Sequence, residues 1–268
     1  MINSENLTCL IPTKNASKML DIFLATIKYY IPNTPNIYII DRDSVDNTKD
    51  IAKKYNCEYF NLPENPTRIW DKEHVDSIEY GVSLCNTEWI LLLHNDMEFV
   101  NFDFWNEINQ YPDADVIYSE LLGEPIIRLS DGGMLYAAPK TCFLLLKKGF
   151  YEEAIENNIS IDSRFGDNCF YDVFYDMWQW AENNNKVIKK INNAFYIHYW
   201  GYTNYRANPD FKKRQEIFLY CNIIDNLIDL KLKHLQNNIL PFPERMQTLL
   251  KNTLNKDMHS QTIPKSER

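Results

Sequence analysis

The chain has 268 residues, with 45% hydrophobic and 24% charged side chains, which is the composition of a globular protein and excludes a disordered or fibrous one. Its length suits one large domain, or a domain with an appendage, and such a chain buries a core without disulfide or metal staples. The 28 basic against 37 acidic side chains leave a net charge of −9, which argues against a duplex nucleic-acid binder.

The first 120 residues alternate in type. Leu7–Ile11 reads as a strand, stopped by Pro12. Met19, Leu20, Phe23, Leu24, Ile27 and Tyr30 recur at helical spacing, so Lys18–Tyr30 reads as a helix. Strand Ile37–Ile40, helix Asp46–Tyr55 and strand Glu58–Asn61 follow, and then helix His74–Cys85. Trp89–Leu93 is apolar without interruption, as in a strand buried on both faces. Phe102–Gln110 reads as a helix and Val116–Ser119 as a strand. Strands alternating with helices predict an α/β fold around a mostly parallel sheet.

The later pattern is looser. Met134–Ala138 and Cys142–Lys147 read as strands, Lys148–Asn157 and Phe170–Glu182 as helices, and Val187–Ile191 and Phe195–Tyr199 as short strands. Asp210–Leu235 is a long amphipathic pattern that opens behind Pro209, and Glu244–Leu254 reads as one more helix. These features predict a domain over residues 1–205, with halves at 1–120 and 121–205. A helical extension over 206–254 and a polar tail over 255–268 complete the organisation. The longest apolar runs fall far short of the roughly 18 residues that span a bilayer. The six cysteines form no CxxC pair and read as small buried hydrophobes in a reducing compartment. The expectation is a cytoplasmic protein, with peripheral membrane contact left open.

In a parallel sheet, ligands bind beyond the carboxyl ends of the strands. Three polar clusters fall at such ends: Pro12-Thr13-Lys14-Asn15, Asp41-Arg42-Asp43-Ser44 and His94-Asn95-Asp96-Met97-Glu98. Parallel strands would bring them to one edge. Asp172 and Asp176 lie four apart in the Phe170–Glu182 pattern, beside an aromatic stripe of Tyr171, Phe174, Tyr175 and Trp178. Aromatic residues are dense between 170 and 205, and Trp200, Tyr202 and Tyr205 are the expected exposed ones, suited to stacking on a sugar.

Leu7–Asn15, the Ile37–Thr48 run Ile-Tyr-Ile-Ile-Asp-Arg-Asp-Ser-Val-Asp-Asn-Thr, and the Trp89–Glu98 run occur in an order that resembles the inverting glycosyltransferases of family 2, with the GT-A fold. The resemblance covers about Leu7 to Tyr202. It implies that Pro12, Thr13, Asn15, Asp41, Ser44 and Asn95 contact the nucleotide of a nucleotide-sugar donor, with Asp41 reading the base of a UDP-sugar. It implies Mn²⁺ or Mg²⁺ held by Asp96 and His198, with Glu98 as a helper. His94 and Asn95 stand where the family has the first two positions of its DxD motif. Asp131-Gly132-Gly133 resembles the acceptor-side glycine loop. Asp172 matches the position of the catalytic base, ahead of Lys186-Val187-Ile188, and Asp176 is the reserve. The implied activity is metal-assisted transfer of a sugar to a glycan hydroxyl, with inversion, in polysaccharide biosynthesis. A nucleotidyltransferase and a non-catalytic nucleotide- or glycan-binding module are the alternatives. No nucleic-acid partner is expected, and an oligomer could form through the C-terminal helices.

Overall fold

The computed structural model describes residues 1–63, 70–119, 126–128, 134–136, 141–162, 164–166, 169–171, 173–192, 194–199, 215–243 and 246. Its first part runs β1 Leu7–Thr13, α1 Ser17–Tyr30, β2 Asn36–Asp41, α2 Thr48–Lys54, β3 Glu58–Asn61, α3 Trp70–Leu84 and β4 Trp89–Leu93. Then come β5 Met97–Phe99, α4 Phe104–Ile108, β6 Val116–Tyr118, β7 Ile126–Arg128, β8 Met134–Tyr136, β9 Phe143–Lys147 and α5 Lys148–Glu156. The last part is β10 Arg164–Gly166, β11 Cys169–Tyr171, α6 Tyr175–Asn183, β12 Ile188–Lys190, β13 Tyr196–His198 and α7 Gln215–Gln236.

The main sheet has the order β12-β6-β9-β4-β1-β2-β3. Only β9 runs antiparallel to its neighbours, β4 and β6. The protein is therefore an α/β fold on a mostly parallel sheet, as its alternating pattern predicts. The uninterrupted apolar run of β4 has a direct cause. Trp89, Leu91 and Leu93 face one core, with Phe23, Leu24 and Ile27 of α1. Ile90 and Leu92 face a second core, with Val75, Ile78 and Val82 of α3, Phe150 of α5 and Met177 of α6. Both faces of the strand are covered, so neither can be polar. At Gly81, α3 comes so close to the sheet that a methyl group there would stand 3.1 Å from Leu10 Cδ1 and 3.2 Å from Ile40 Cγ1.

Two smaller pairings complete the chain path. β10-β11-β8-β7 form a four-stranded sheet, and β13 pairs antiparallel with β5. The C-terminal pattern packs on the core: Ile224 and Ile228 of α7 join Met19 and Ile22 of α1, Ile197 of β13 and Tyr199 just after it. No helix among the described residues is long and apolar enough to cross a membrane. Cys9, Cys85 and Cys142 are buried free thiols, in keeping with the expected packing role.

One predicted element is wrong in kind. Phe170–Glu182 is not a single helix. Residues Cys169–Tyr171 are a strand paired with β8 and β10, and α6 begins only at Tyr175. Phe174 takes a left-handed backbone, φ 66°, between them. A non-glycine residue at positive φ cannot continue a right-handed helix. Phe174 is itself buried in the second core, and its N–H donates to the Ile161 carbonyl, 3.0 Å. The predicted Asp210–Leu235 helix is observed from Gln215. Of the predicted Glu244–Leu254 helix only Met246 lies within the described residues.

Candidate active site

The strand-end clusters do meet. In the β1–β2 register Thr13 stands opposite Asp41, the last residue of each strand. From the far side, Asn95 Nδ2 donates to Thr13 Oγ1, 2.6 Å, tying the loop after β4 to the end of β1. Thr13 and Asn95 are both buried.

The second cluster is built around the Asp41 carboxylate, which is fully buried. Oδ2 accepts from Tyr59 Oη at 2.6 Å and from the Ser44 N–H at 3.2 Å, while Oδ1 accepts from the Ser44 hydroxyl. A buried carboxylate needs such donors, because without them its desolvation would cost several kcal/mol. The bonds also hold the turn that follows β2, where Asp43 takes φ 49°. Asn15, itself at φ 49°, locks to this turn: its N–H donates to Ser44 Oγ, 2.7 Å, and its Oδ1 accepts from the Val45 N–H, 2.8 Å. Asp41 thus lies beneath the loop, and Asn15 and Ser44 form its outer layer. Arg42 is also buried, with Nη2 3.4 Å from Glu73 Oε1 of α3.

The third cluster is the richest. β5 pairs with β13 so that Met97 stands opposite His198, and the Tyr199 N–H donates to the Asp96 carbonyl, 2.8 Å. This pairing carries His198 across the sequence to Asp96. Asp96 Oδ1 is 3.4 Å from His198 Nε2 and 3.8 Å from His94 Nδ1. One donor atom from each of His94, Asp96 and His198 lies within 4.8 Å of the other two. Burial by itself would raise the Asp96 carboxyl; a hydrogen bond and positive charge from His198, then charge from His94, outweigh it and hold the group at about 2. Asp96 is thereby held anionic beside the two imidazoles, which a cation binding there would leave neutral by displacing their protons. Two imidazoles and one carboxylate make a donor set that fits a divalent ion.

Glu98 does not belong to this cluster. It is fully buried, and its Oε2 accepts from Lys231 Nζ of α7, 2.5 Å, and from Tyr199 Oη, 3.1 Å. The expected helper role fails because this carboxylate is already neutralised by a buried lysine. Lys231, Tyr199, His74 and Thr141 are the residues that the sequence reading passed over. A lysine inside an amphipathic helix ordinarily signals a solvated face, and nothing local marks it as buried.

Asp176 stands half-buried in the first turn of α6, a helix anchored by Met177 and Ala181. Asp172, Asp131-Gly132-Gly133, Trp200, Tyr202 and Tyr205 lie outside the described residues.

The profile of glycosyl transferase family 2 matches residues 8–101. That segment holds all three strand-end clusters. Over these residues the chain is similar to glycosyl transferase family 2. The likeness supports a glycosyltransferase and matches the resemblance carried by the Leu7–Asn15, Ile37–Thr48 and Trp89–Glu98 runs. No curated protein matches the chain significantly. Among solved structures, the chain is similar to glucosyl-3-phosphoglycerate synthase from Mycobacterium tuberculosis, in complex with Mn²⁺, UDP-glucose and phosphoglyceric acid: 10% identity over 72% of this chain and 71% of that one, TM-score 0.48. It is also similar to a mannosyltransferase from Pyrobaculum calidifontis in complex with GDP-mannose and Mn²⁺, at 11% identity over 98% and 88%, TM-score 0.49. A third likeness is to 4-diphosphocytidyl-2C-methyl-D-erythritol synthase from Anaerococcus prevotii, at 14% identity over 82% and 98%, TM-score 0.47.

Proposed function

We propose that the protein transfers a sugar from a nucleotide-diphosphate donor, a UDP-sugar, to a hydroxyl of a glycan, with a divalent metal and with inversion. The observation that carries the reading is the approach of Asp96 and His198 to 3.4 Å at the strand edge where Thr13, Asn95, Asp41 and Ser44 also end. The nucleotide then lies along Thr13, Asn15 and Ser44, with Pro12 beneath it and Asp41 acting on the base end. Asp96 and His198 hold Mn²⁺ or Mg²⁺ next to its diphosphate. A bound divalent ion supplies positive charge to the diphosphate as the glycosidic bond breaks. Inversion needs a base that takes the proton from the acceptor hydroxyl. We assign Asp172 to that role, with Asp176, at the start of α6, as the alternative carboxylate. The catalytic domain then spans residues 1–205, with 206–254 as an extension whose helix α7 packs on α1.

Thermal unfolding tests the donor site. A ligand that binds only the native state stabilises it by about 2.7 kcal/mol at a hundred times its Kd. UDP with Mn²⁺ is expected to raise Tm more than either alone, and Asp96→Ala to erase the metal-dependent part. Hydrolysis and transfer assays with a panel of nucleotide sugars then name the donor. Stabilisation without turnover of any donor would identify a binding module. No response to any nucleoside diphosphate, with or without metal, would end the proposal.

A further inference from the structure

The two ring nitrogens of His94 have different surroundings. Nδ1 faces Asp96 Oδ1 at 3.8 Å, and Nε2 lies 2.8 Å from Thr141 Oγ1. The same hydroxyl is 3.2 Å from His74 Nε2, on α3. Thr141 is buried at the entry to β9, and His74 is half-buried. The rings of His74 and His94 meet edge to face with centroids 5.6 Å apart, and those of His94 and His198 follow at 5.4 Å. Three of the chain's five histidines therefore stand in a row that ends at Asp96.

A hydroxyl carries one proton. Between two imidazole nitrogens, Thr141 donates to one and accepts from the other. When it donates to His74, it accepts from His94 Nε2–H. Neutral His94 then has its lone pair on Nδ1, toward Asp96 and His198. Ligating histidines are held in this way by a partner on the second ring nitrogen, which fixes tautomer and ring orientation.

We propose that His94 Nδ1 joins Asp96 and His198 Nε2 in a two-histidine, one-carboxylate centre braced by Thr141 and His74, and that this centre takes Mn²⁺, Co²⁺ or Zn²⁺ in preference to Mg²⁺. The inference rests on the assignment of Asp96 and His198 as metal ligands made above. The three donor atoms lie within 4.8 Å of one another, so a small inward movement brings each to about 2.0–2.2 Å from one ion. Mg²⁺ is a hard cation that sheds water reluctantly and prefers oxygen ligands; imidazole suits the later first-row metals. An acidic residue at position 94 would favour Mg²⁺ by both charge and ligand type. The braced imidazole removes both advantages.

The test uses the full chain without nucleotide. Titration calorimetry measures Mn²⁺, Co²⁺, Zn²⁺ and Mg²⁺ binding, and pulsed EPR of the Mn²⁺ form counts coupled imidazole nitrogens. Wild type is expected to show two imidazoles and to bind Co²⁺ at least 100-fold more tightly than Mg²⁺. His94→Asp is expected to leave one imidazole and to narrow that ratio at least tenfold. Thr141→Val, which keeps the side-chain shape, is expected to weaken Co²⁺ by about 10–100-fold, the usual effect of losing such a brace, and to leave Mg²⁺ unchanged. One coupled imidazole in wild type overturns the role of His94 without recourse to any variant. An unchanged Co²⁺ affinity in Thr141→Val overturns the brace. If Asp96→Ala abolishes binding while His94→Asp leaves the metal ratio unchanged, the metal centre stands and this inference falls. If wild type binds none of the ions, both fall.

Discussion

Lys231→Met should destabilise the protein severely. Lys231 and Glu98 are both fully buried, with Nζ 2.5 Å from Oε2, and Tyr199 Oη lies 3.0 Å from the same ammonium. The rings of Phe242 and Tyr199 face Nζ at 5.1 and 5.6 Å. Burial pulls the lysine below its ordinary pKa, against the charge and hydrogen bond of Glu98. Methionine keeps most of the stem and removes the charge, leaving Glu98 as a buried anion with Tyr199 as its remaining donor. Removing one partner of a buried pair costs about 3–5 kcal/mol. At roughly 2–4 °C per kcal/mol for a domain of somewhat smaller size, Tm should fall on the order of 10 °C. The double variant Glu98→Gln/Lys231→Met removes both charges and keeps an acceptor for Tyr199. It should recover at least about 2 kcal/mol over Lys231→Met, a coupling readable by urea denaturation of the four-member cycle. A Lys231→Met cost below about 1 kcal/mol, or a double variant no more stable than Lys231→Met, would refute the argument.

Asp41→Ala removes the acceptor of the half-buried Tyr59 and Ser44 hydroxyls, at about 0.5–1.5 kcal/mol for each bond lost, so Tm should drop and most of the UDP-induced shift should vanish. An unchanged UDP shift in that variant removes Asp41 from the nucleotide end. Asp172→Asn should lower turnover by roughly 10²–10⁴-fold, the usual contribution of a general base, with donor binding nearly intact. If Asp176→Asn gives the large loss instead, the base sits on the first turn of α6.

Much of the site half was legible because its signals are long or local. The apolar run Trp89–Leu93 declared a strand covered on both faces, and the alternation of elements declared parallel pairing. Once β1, β2 and β4 are parallel neighbours, Thr13, Asp41 and Asn95 must finish at one edge, since each closes or follows its strand. The pairing of β5 with β13 was not legible in the same way. Each strand has three residues, and the partners lie about a hundred positions apart, so neither periodicity nor turn chemistry marks them. That pairing nonetheless decides where Asp96, Glu98 and His198 go. The error over Phe170–Glu182 has a different origin. Tyr171, Phe174, Tyr175 and Trp178 do fall at helical spacing, but aromatic residues suit strands as well, and backbone pairing with β8 claimed residues 169–171. Phe174 then spends its position on a left-handed turn that buries its ring, which spacing alone does not reveal.

These two outcomes bear on the proposed chemistry. The residues assigned to nucleotide and metal sit at strand ends fixed by backbone ladders and by bonds such as Asn95 to Thr13 and Tyr59 to Asp41. Their spacing is a property of the sheet, so it tolerates change in side-chain identity, and histidine can stand at position 94 without loss of the edge. Asp172 and Asp176, assigned to acceptor deprotonation, instead flank the left-handed Phe174 in the sequence. A misplacement there of about 1 Å can cost 10²-fold in rate. The turn at Phe174 is therefore the part of the fold where small substitutions should alter turnover while leaving donor and metal binding in place.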